Sequence, residues 1–330
     1  MTSAMAKKFF IAGGAGFIGY YIVKELLQEG HSVLIYDNFS NFVASESNYC
    51  LYLQRRLQDI KDKVEIVRGD VRDKRKLIQT MREFQPEIVI NLVAIPLATA
   101  SNVFFEDAIQ INLNGHINIL EAMRYSNSVE RFIYASTSFV YGNFEYEPAD
   151  ENHPTRPIDI YGGTKLSCEI LSKTYSDRYG IDHTIIRPSA VYGPTDANRR
   201  VSQIFVENAL TGKPLTLNNN GEGKVDFTYV KDTAHGFVLA ALSDNAKNQT
   251  FNITAGQGRN PKEFVEILKG IIPQEIQTII NPGDDAKRPN RGALGICKAK
   301  DLLGYEPQYQ LEQGLKEYID YLLASGLFKK

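Results

Sequence analysis

Three glycines spaced over GGAGFIG, residues 13–19, limit the fold of this chain more than any other stretch. They follow the apolar run KFFIA and open directly into FIGYYIVKELLQEG, whose apolar residues recur at helical spacing. Glycines between a strand and a helix permit a tight turn, let backbone approach a ligand, and let helix press on strand. The first-turn N–H groups of that helix then stay open, with a partial positive charge behind them. Gly13, Gly16 and Gly19, with the backbone of Phe17 and Ile18, are therefore candidates to hold a pyrophosphate. These three stand at Gly-x-x-Gly-x-x-Gly spacing, and the flanking elements carry the argument.

Those elements continue in the same rhythm. Apolar runs at SVLIYD, VEIVRGD, EIVINLVA, RFIYAST and DHTIIRP alternate with helical stretches such as AIQINLNGHINILEAMRYS. Alternation of this kind predicts an α/β fold: a doubly wound parallel (Rossmann) sheet that binds ligands at the carboxyl ends of its strands. After Arg187 the rhythm breaks at Pro194 and at the turn 218–223, while strand-like VDFTYV and QTFNIT return before helices near 260–271 and 311–323. We expect a dinucleotide-binding domain from residues 1–188 plus about 229–256. A smaller C-terminal α/β substrate lobe would come from about 189–228 and 257–330. Residues 38–63 exceed what a strand–helix connection needs, and LYLQRRLQDI there reads as an extra helix.

The second strand ends in Asp37. A carboxylate there accepts hydrogen bonds from the adenosine ribose hydroxyls and repels a 2′-phosphate. Asn38 and Phe39 follow it in place of a cation, so NAD is favoured over NADP. Asp70, at the end of VEIVRGD, suits the adenine edge or a plain loop acid equally well. The formal net charge is -2 and there is no basic block, which argues against nucleic acid or an anionic membrane as partner. Cys50, Cys168 and Cys297 form neither a close pair nor a metal-binding spacing. With no apolar stretch of membrane-spanning length, they read as reduced thiols of a cytoplasmic protein without a metal.

IYGGTKLSCEIL sets Tyr161 and Lys165 four apart, about one helical turn, on one face. A phenol titrates near ~10, and a neighbouring ammonium together with a cationic nicotinamide ring favours its ionised form. In an ordinary helix the same pair is only a half-buried aromatic beside a solvated cation. The upstream strand, however, ends in Ser136, Thr137 and Ser138, hydroxyls suited to hold a substrate oxygen against the tyrosine.

At this point the chain resembles the extended short-chain dehydrogenase/reductases, in their nucleotide-sugar epimerase/dehydratase branch of UDP-glucose/UDP-glucuronate 4-epimerase-like proteins. The likeness rests on GGAGFIG, DN at 37–38, GDVRD at 69–73, NLVA at 91–94, INLNGHINILEA at 111–122, STSFVYG at 136–142, YGGTK at 161–165, RPSAVYGP at 187–194, DFTYVKD at 226–232 and KAKDLLGYEP at 298–307. The resemblance implies that Thr137, Tyr161 and Lys165 are catalytic. It implies that Val71, Leu92, Val93, Ala94 and Asn112 join the cofactor pocket, and that the backbone at Pro188 meets the nicotinamide. It also implies a nucleotide-diphosphate sugar as substrate and a homodimer paired through helices near 105–126 and 161–179.

Members of this branch begin alike, with oxidation at sugar C4, and then diverge. Dehydratases carry an acid two places after the catalytic threonine, where this chain has Phe139, which cannot transfer a proton. The Cys/His pair of reductase-epimerases has no counterpart after Thr137, and His183 lies in a strand. What remains is 4-epimerisation through a transient 4-keto sugar. A 4-dehydrogenase or oxidative decarboxylase is the alternative, and a non-catalytic NAD sensor the remote one. At the substrate end, Lys224, Val225 and Ala190 depart from the residues common in relatives. Arg199, Arg200, Arg288 and Arg291 remain as cations for the diphosphate, with Ser138 beside the sugar.

Overall fold

The computed structural model describes residues 6–42, 46–283 and 289–328. Seven strands make one parallel sheet: β1 (Lys8–Ala12), β2 (Ser32–Asp37), β3 (Glu65–Arg68), β4 (Ile88–Asn91), β5 (Arg131–Ala135), β6 (Asp182–Arg187) and, later in the chain, β9 (Gln249–Asn252). Their order is β3-β2-β1-β4-β5-β6-β9. The chain runs outward from β1 on one side and then, from β4, on the other. The strand order therefore reverses beside β1, which opens a crevice at the carboxyl ends. Phe9, Phe10, Ile11 and Ala12 are wholly buried because helices cover both faces, which is why β1 reads as an unbroken apolar run.

The helices are α1 (Phe17–Gln28), α2 (Glu46–Ile60), α3 (Lys74–Phe84), α4 (Ala98–Val103), α5 (Phe105–Ala108), α6 (Gly115–Arg124), α7 (Ile160–Tyr179), α8 (Val201–Leu210), α9 (Val230–Leu242), α10 (Pro261–Ile271), α11 (Cys297–Leu303) and α12 (Leu311–Ala324). Local chemistry sets their limits. The Asp159 side chain accepts from Gly162 N to start α7, and Gly180 closes it with φ +72°. Asn260 and Glu263 form a reciprocal cap on α10, with Pro261 in its first turn. Short strands β7 (Leu215–Asn218), β8 (Val225–Asp226), β10 (Gly258–Arg259) and β11 (Thr278–Asn281) pair as β8 with β10 and β7 with β11.

Apolar clusters fill both faces of the main sheet. A third, with Phe205, Leu215, Phe227, Phe264, Leu315 and Tyr318, lies among α8, β7, α10 and α12. The stretch AIQINLNGHINILEAMRYS is not one regular helix: residues Ile109–Asn114 form a π turn between α5 and α6. VDFTYV is strand only at Val225–Asp226; Tyr192 N then donates to Thr228 O (3.0 Å), and α9 begins at Val230. The extra helix read in 38–63 is present as α2.

Candidate active site

One cleft runs across the carboxyl edge of the sheet, from Asp37 at the end of β2 to Tyr161 on α7. The glycine turn forms its floor. Gly13 has φ +80°, and a Cβ there would stand 3.2 Å from Leu92 C and Val93 N. A Cβ on Gly19 would stand 2.5 Å from Gly13 O, so the close seat of α1 on the turn requires glycine. No side chain caps α1 and no acid occupies its first turn, so that end faces the cleft with its dipole uncompensated.

Asp37 organises the turn from the other side. Its Oδ2 accepts from Ala15 N (3.1 Å) and its Oδ1 from Phe39 N (2.8 Å). Burial pushes this carboxyl up, while those N–H groups and the Arg56 charge pull it back. Asn38 donates to Asp70 Oδ2 (3.1 Å), and Arg72 grips both Asp70 oxygens, at 2.9 and 2.8 Å. That grip holds the Asp70 carboxyl down at about 2. Val71, Leu92, Val93 and Ala94 line the middle of the cleft, and Pro188 and Arg200 its far wall. An uncapped helix start, a glycine floor no Cβ could replace, and a carboxylate at the end of β2 together fit a dinucleotide.

At the far end Thr137 caps a short turn, Ser138–Tyr141, with its Oγ1 accepting from Phe139 N (3.3 Å). Burial pushes the Tyr161 phenol up; the Arg200 charge and a hydrogen bond with Thr137 act in the opposite direction. Lys165, only 2% exposed, donates to Ala135 O (2.7 Å), with its Nζ 5.9 Å from the Tyr161 ring centre. Burial pushes this ammonium down to about 8. The Phe139 ring meets Tyr161 edge-on, with centres 5.8 Å apart.

Other expected residues stand behind or beside the wall. Asn112, inside the π turn, accepts from Ile95 N (2.8 Å) and donates to Thr164 Oγ1 (3.3 Å), joining the loop after β4 to α7. The π turn shifts the helix register and turns this amide inward. The Ser138 hydroxyl lies between Ser189 Oγ (3.2 Å) and Arg291 NH1 (3.0 Å), and the Arg291 guanidinium covers Phe139 at 4.0 Å. Arg199 pairs with Glu207 (3.3 Å), and Arg200 with Asp196 (3.4 Å). Arg288 lies outside the described residues. His183 is buried on β6.

Two functional groups escaped the sequence reading. Glu169, one turn beyond Lys165, accepts from Ser136 Oγ and from Arg187 Nε (2.9 Å) and NH2 (2.6 Å). It thereby locks α7 to the ends of β5 and β6. Arg56 of α2 lines the cleft and is 2% exposed. The signal for it was a cation in the row Tyr52–Arg56–Ile60, whose other members are buried.

A reversing parallel sheet, a glycine cradle beside the Asp37 carboxylate, and a Thr–Tyr–Lys corner on one cleft fit a dinucleotide-dependent enzyme of Rossmann type. The chain belongs to the NAD dependent epimerase/dehydratase family, whose signature matches residues 9–254. It is similar to a putative UDP-glucose 4-epimerase of Methanocaldococcus jannaschii, 32% identical, with 94% of this chain and 97% of the relative covered. Among solved structures it is similar to the UDP-glucose 4-epimerase of Thermotoga maritima with UDP-glucose (28% identical, TM-score 0.87, covering 96% and 99% of the two chains). It is also similar to the UDP-glucuronic acid 4-epimerase of Bacillus cereus with UDP-glucuronic acid and NAD (26% identical, TM-score 0.88, covering 96% and 99%). No described helix is long and apolar enough to cross a membrane.

Proposed function

We propose that this chain is an NAD-dependent nucleotide-sugar 4-epimerase. The observation that carries the reading is the catalytic corner itself: Thr137, Tyr161 and Lys165 converge on the cleft, and the Phe139 ring packs edge-on against Tyr161. Tyr161, as phenolate, takes the proton of the sugar 4-OH while the Thr137 hydroxyl steadies that oxygen. A bound NAD would supply the acceptor, and then the donor, of the C4 hydride. Phe139 has no group that could take the C5 proton of the resulting 4-keto sugar, so elimination across C5 and C6 finds no acid or base at that position. Turning over in the site, the keto sugar presents its other face, and Tyr161 gives the proton back to the new 4-OH. The named activities of the similar proteins support the same reaction.

The dinucleotide would lie along Gly13, Gly16, Asp37 and Lys165 in the domain formed by residues 1–188 and about 229–256. The nucleotide sugar would rest against the lobe of 189–228 and 257–330, its diphosphate held by Arg200 on the cleft wall and Arg291 beside Ser138. A homodimer is favoured by Phe105 (51% exposed) and Ile170 (58%), apolar side chains left open on α5 and α7.

The test uses a panel of nucleotide sugars deuterated at C4, with no NAD added. The expected result is a product epimeric at C4 by NMR that keeps its label, with no reduced nicotinamide accumulating. Loss of the label, or a stoichiometric need for NAD, would instead establish a dehydrogenase.

A further inference from the structure

Helix α2 carries a charge that the reaction above leaves without a task. Arg56 lies almost wholly buried, its Nε donating to Ala15 O (3.0 Å) and its NH1 to Thr195 O (2.8 Å). It thus joins the glycine turn to the loop that leads into α8. Among the described residues its NH2 makes no hydrogen bond, and no carboxylate forms an ion pair with it. Asp37 and Asp196 act on it only through space, and burial works against its charge. Burying a cation without a paired anion is costly, and evolution of a ligand site offers the compensation: an anion that arrives with the ligand. Arg56 lines the cleft between Asp37, where the ribose would sit, and Asn198 and Arg200.

We infer that Arg56 binds a phosphate oxygen of the dinucleotide through NH2 while its other two nitrogens hold Ala15 and Thr195 in place. This rests on the reading of the cleft as the dinucleotide site. The helix dipole of α1 and the Arg56 guanidinium then act on the pyrophosphate from two sides. An enzyme that returns its hydride to the same sugar must keep its cofactor between the two half-reactions, and a fixed cation above the phosphates slows release.

The test is displacement of NADH from the protein, followed by its fluorescence, with ADP-ribose and with adenosine as competitors. Arg56→Gln removes the charge and keeps an amide donor. The expected result is ADP-ribose weakened tenfold or more, adenosine changed less than twofold, and a shallower salt dependence for ADP-ribose. Arg56→Lys, which keeps the charge and loses the fork, should show a smaller loss confined to ADP-ribose. Equal weakening of both competitors, or no change in either, overturns the inference, because a merely structural strap would act on both alike. If Arg56→Gln is not recovered folded, the lysine variant decides by the same comparison. Failure of adenosine to compete against the unmodified protein would count against the dinucleotide reading itself.

Discussion

Glu169 offers the sharpest test of how the site is held together. Its carboxylate is 1% exposed and the Arg187 guanidinium facing it 4%, with contacts of 2.9 and 2.6 Å. Arg187 also donates to Tyr141 Oη (3.0 Å) and Glu151 O (3.5 Å), so removal of Glu169 leaves a buried cation with neutral hydrogen-bond partners alone. Breaking one side of a buried pair typically costs about 3–5 kcal/mol. Glu169→Gln keeps one carbonyl oxygen, which can still accept from both Ser136 Oγ and Arg187 Nε, so the lower end, about 3 kcal/mol, is expected. For a urea m-value of about 3 kcal/mol/M, that is a fall of about 1 M in the unfolding midpoint. The double variant Glu169→Leu with Arg187→Met removes both charges and should recover most of the loss. Turnover should still fall in the single variant, because Ser136 adjoins Thr137 and Arg187 adjoins Pro188. A Glu169→Gln midpoint within about 0.3 M of the parent would refute the argument that this pair is desolvated and holds the three elements together.

Tyr161→Phe should lower turnover by roughly 10² or more through loss of the general base, with NAD content unchanged; near-normal turnover by the variant excludes the assignment. Because burial raises the Tyr161 phenol, the active phenolate is gained as pH rises, so kcat/KM should climb through and above neutral pH, and Arg200→Met should displace that rise upward. Lys165 is held at about 8 against 10.5 in solution, so the unfolded chain binds its proton more readily and stability should increase from pH 8 towards 10.5. Lys165→Met should accordingly raise the urea midpoint at pH 7 while cutting turnover; a lowered midpoint would show that the ammonium stabilises the fold. Asp37 should give NAD a clear preference over NADP in binding titrations, and equal affinity for the two would remove its role as the selecting carboxylate.

Much of the site was written in local sequence. The glycine turn announced itself because Gly13 and Gly19 answer to backbone approach, a requirement no other residue meets. Strands such as KFFIA and RFIYA were legible because both faces of the sheet are covered, so period-two alternation disappears. Tyr161 and Lys165 were legible as a pair because four residues make one helical turn.

Tertiary structure decided the rest, and in each case long sequence separation is the reason. The lysine reads in sequence as the cation beside the tyrosine; the fold adds a bond from its Nζ to Ala135 O, thirty residues away, and brings Arg200, whose charge favours the phenolate, to the same cleft. Asn112 reads in sequence as a support of the active site and nicotinamide pocket; only the fold supplies its partners, Ile95 N and Thr164 Oγ1, from two separate segments. Arg56 and Glu169 carry no local signature of function, since a helical arginine or glutamate is ordinarily solvated. Their meaning comes from partners brought together only by packing: Ala15 and Thr195 for one, Ser136 and Arg187 for the other. Local sequence determined the strands, the turn and the spacing of the candidate Tyr161–Lys165 pair; three-dimensional closure determined which charges were buried, and what each of them holds.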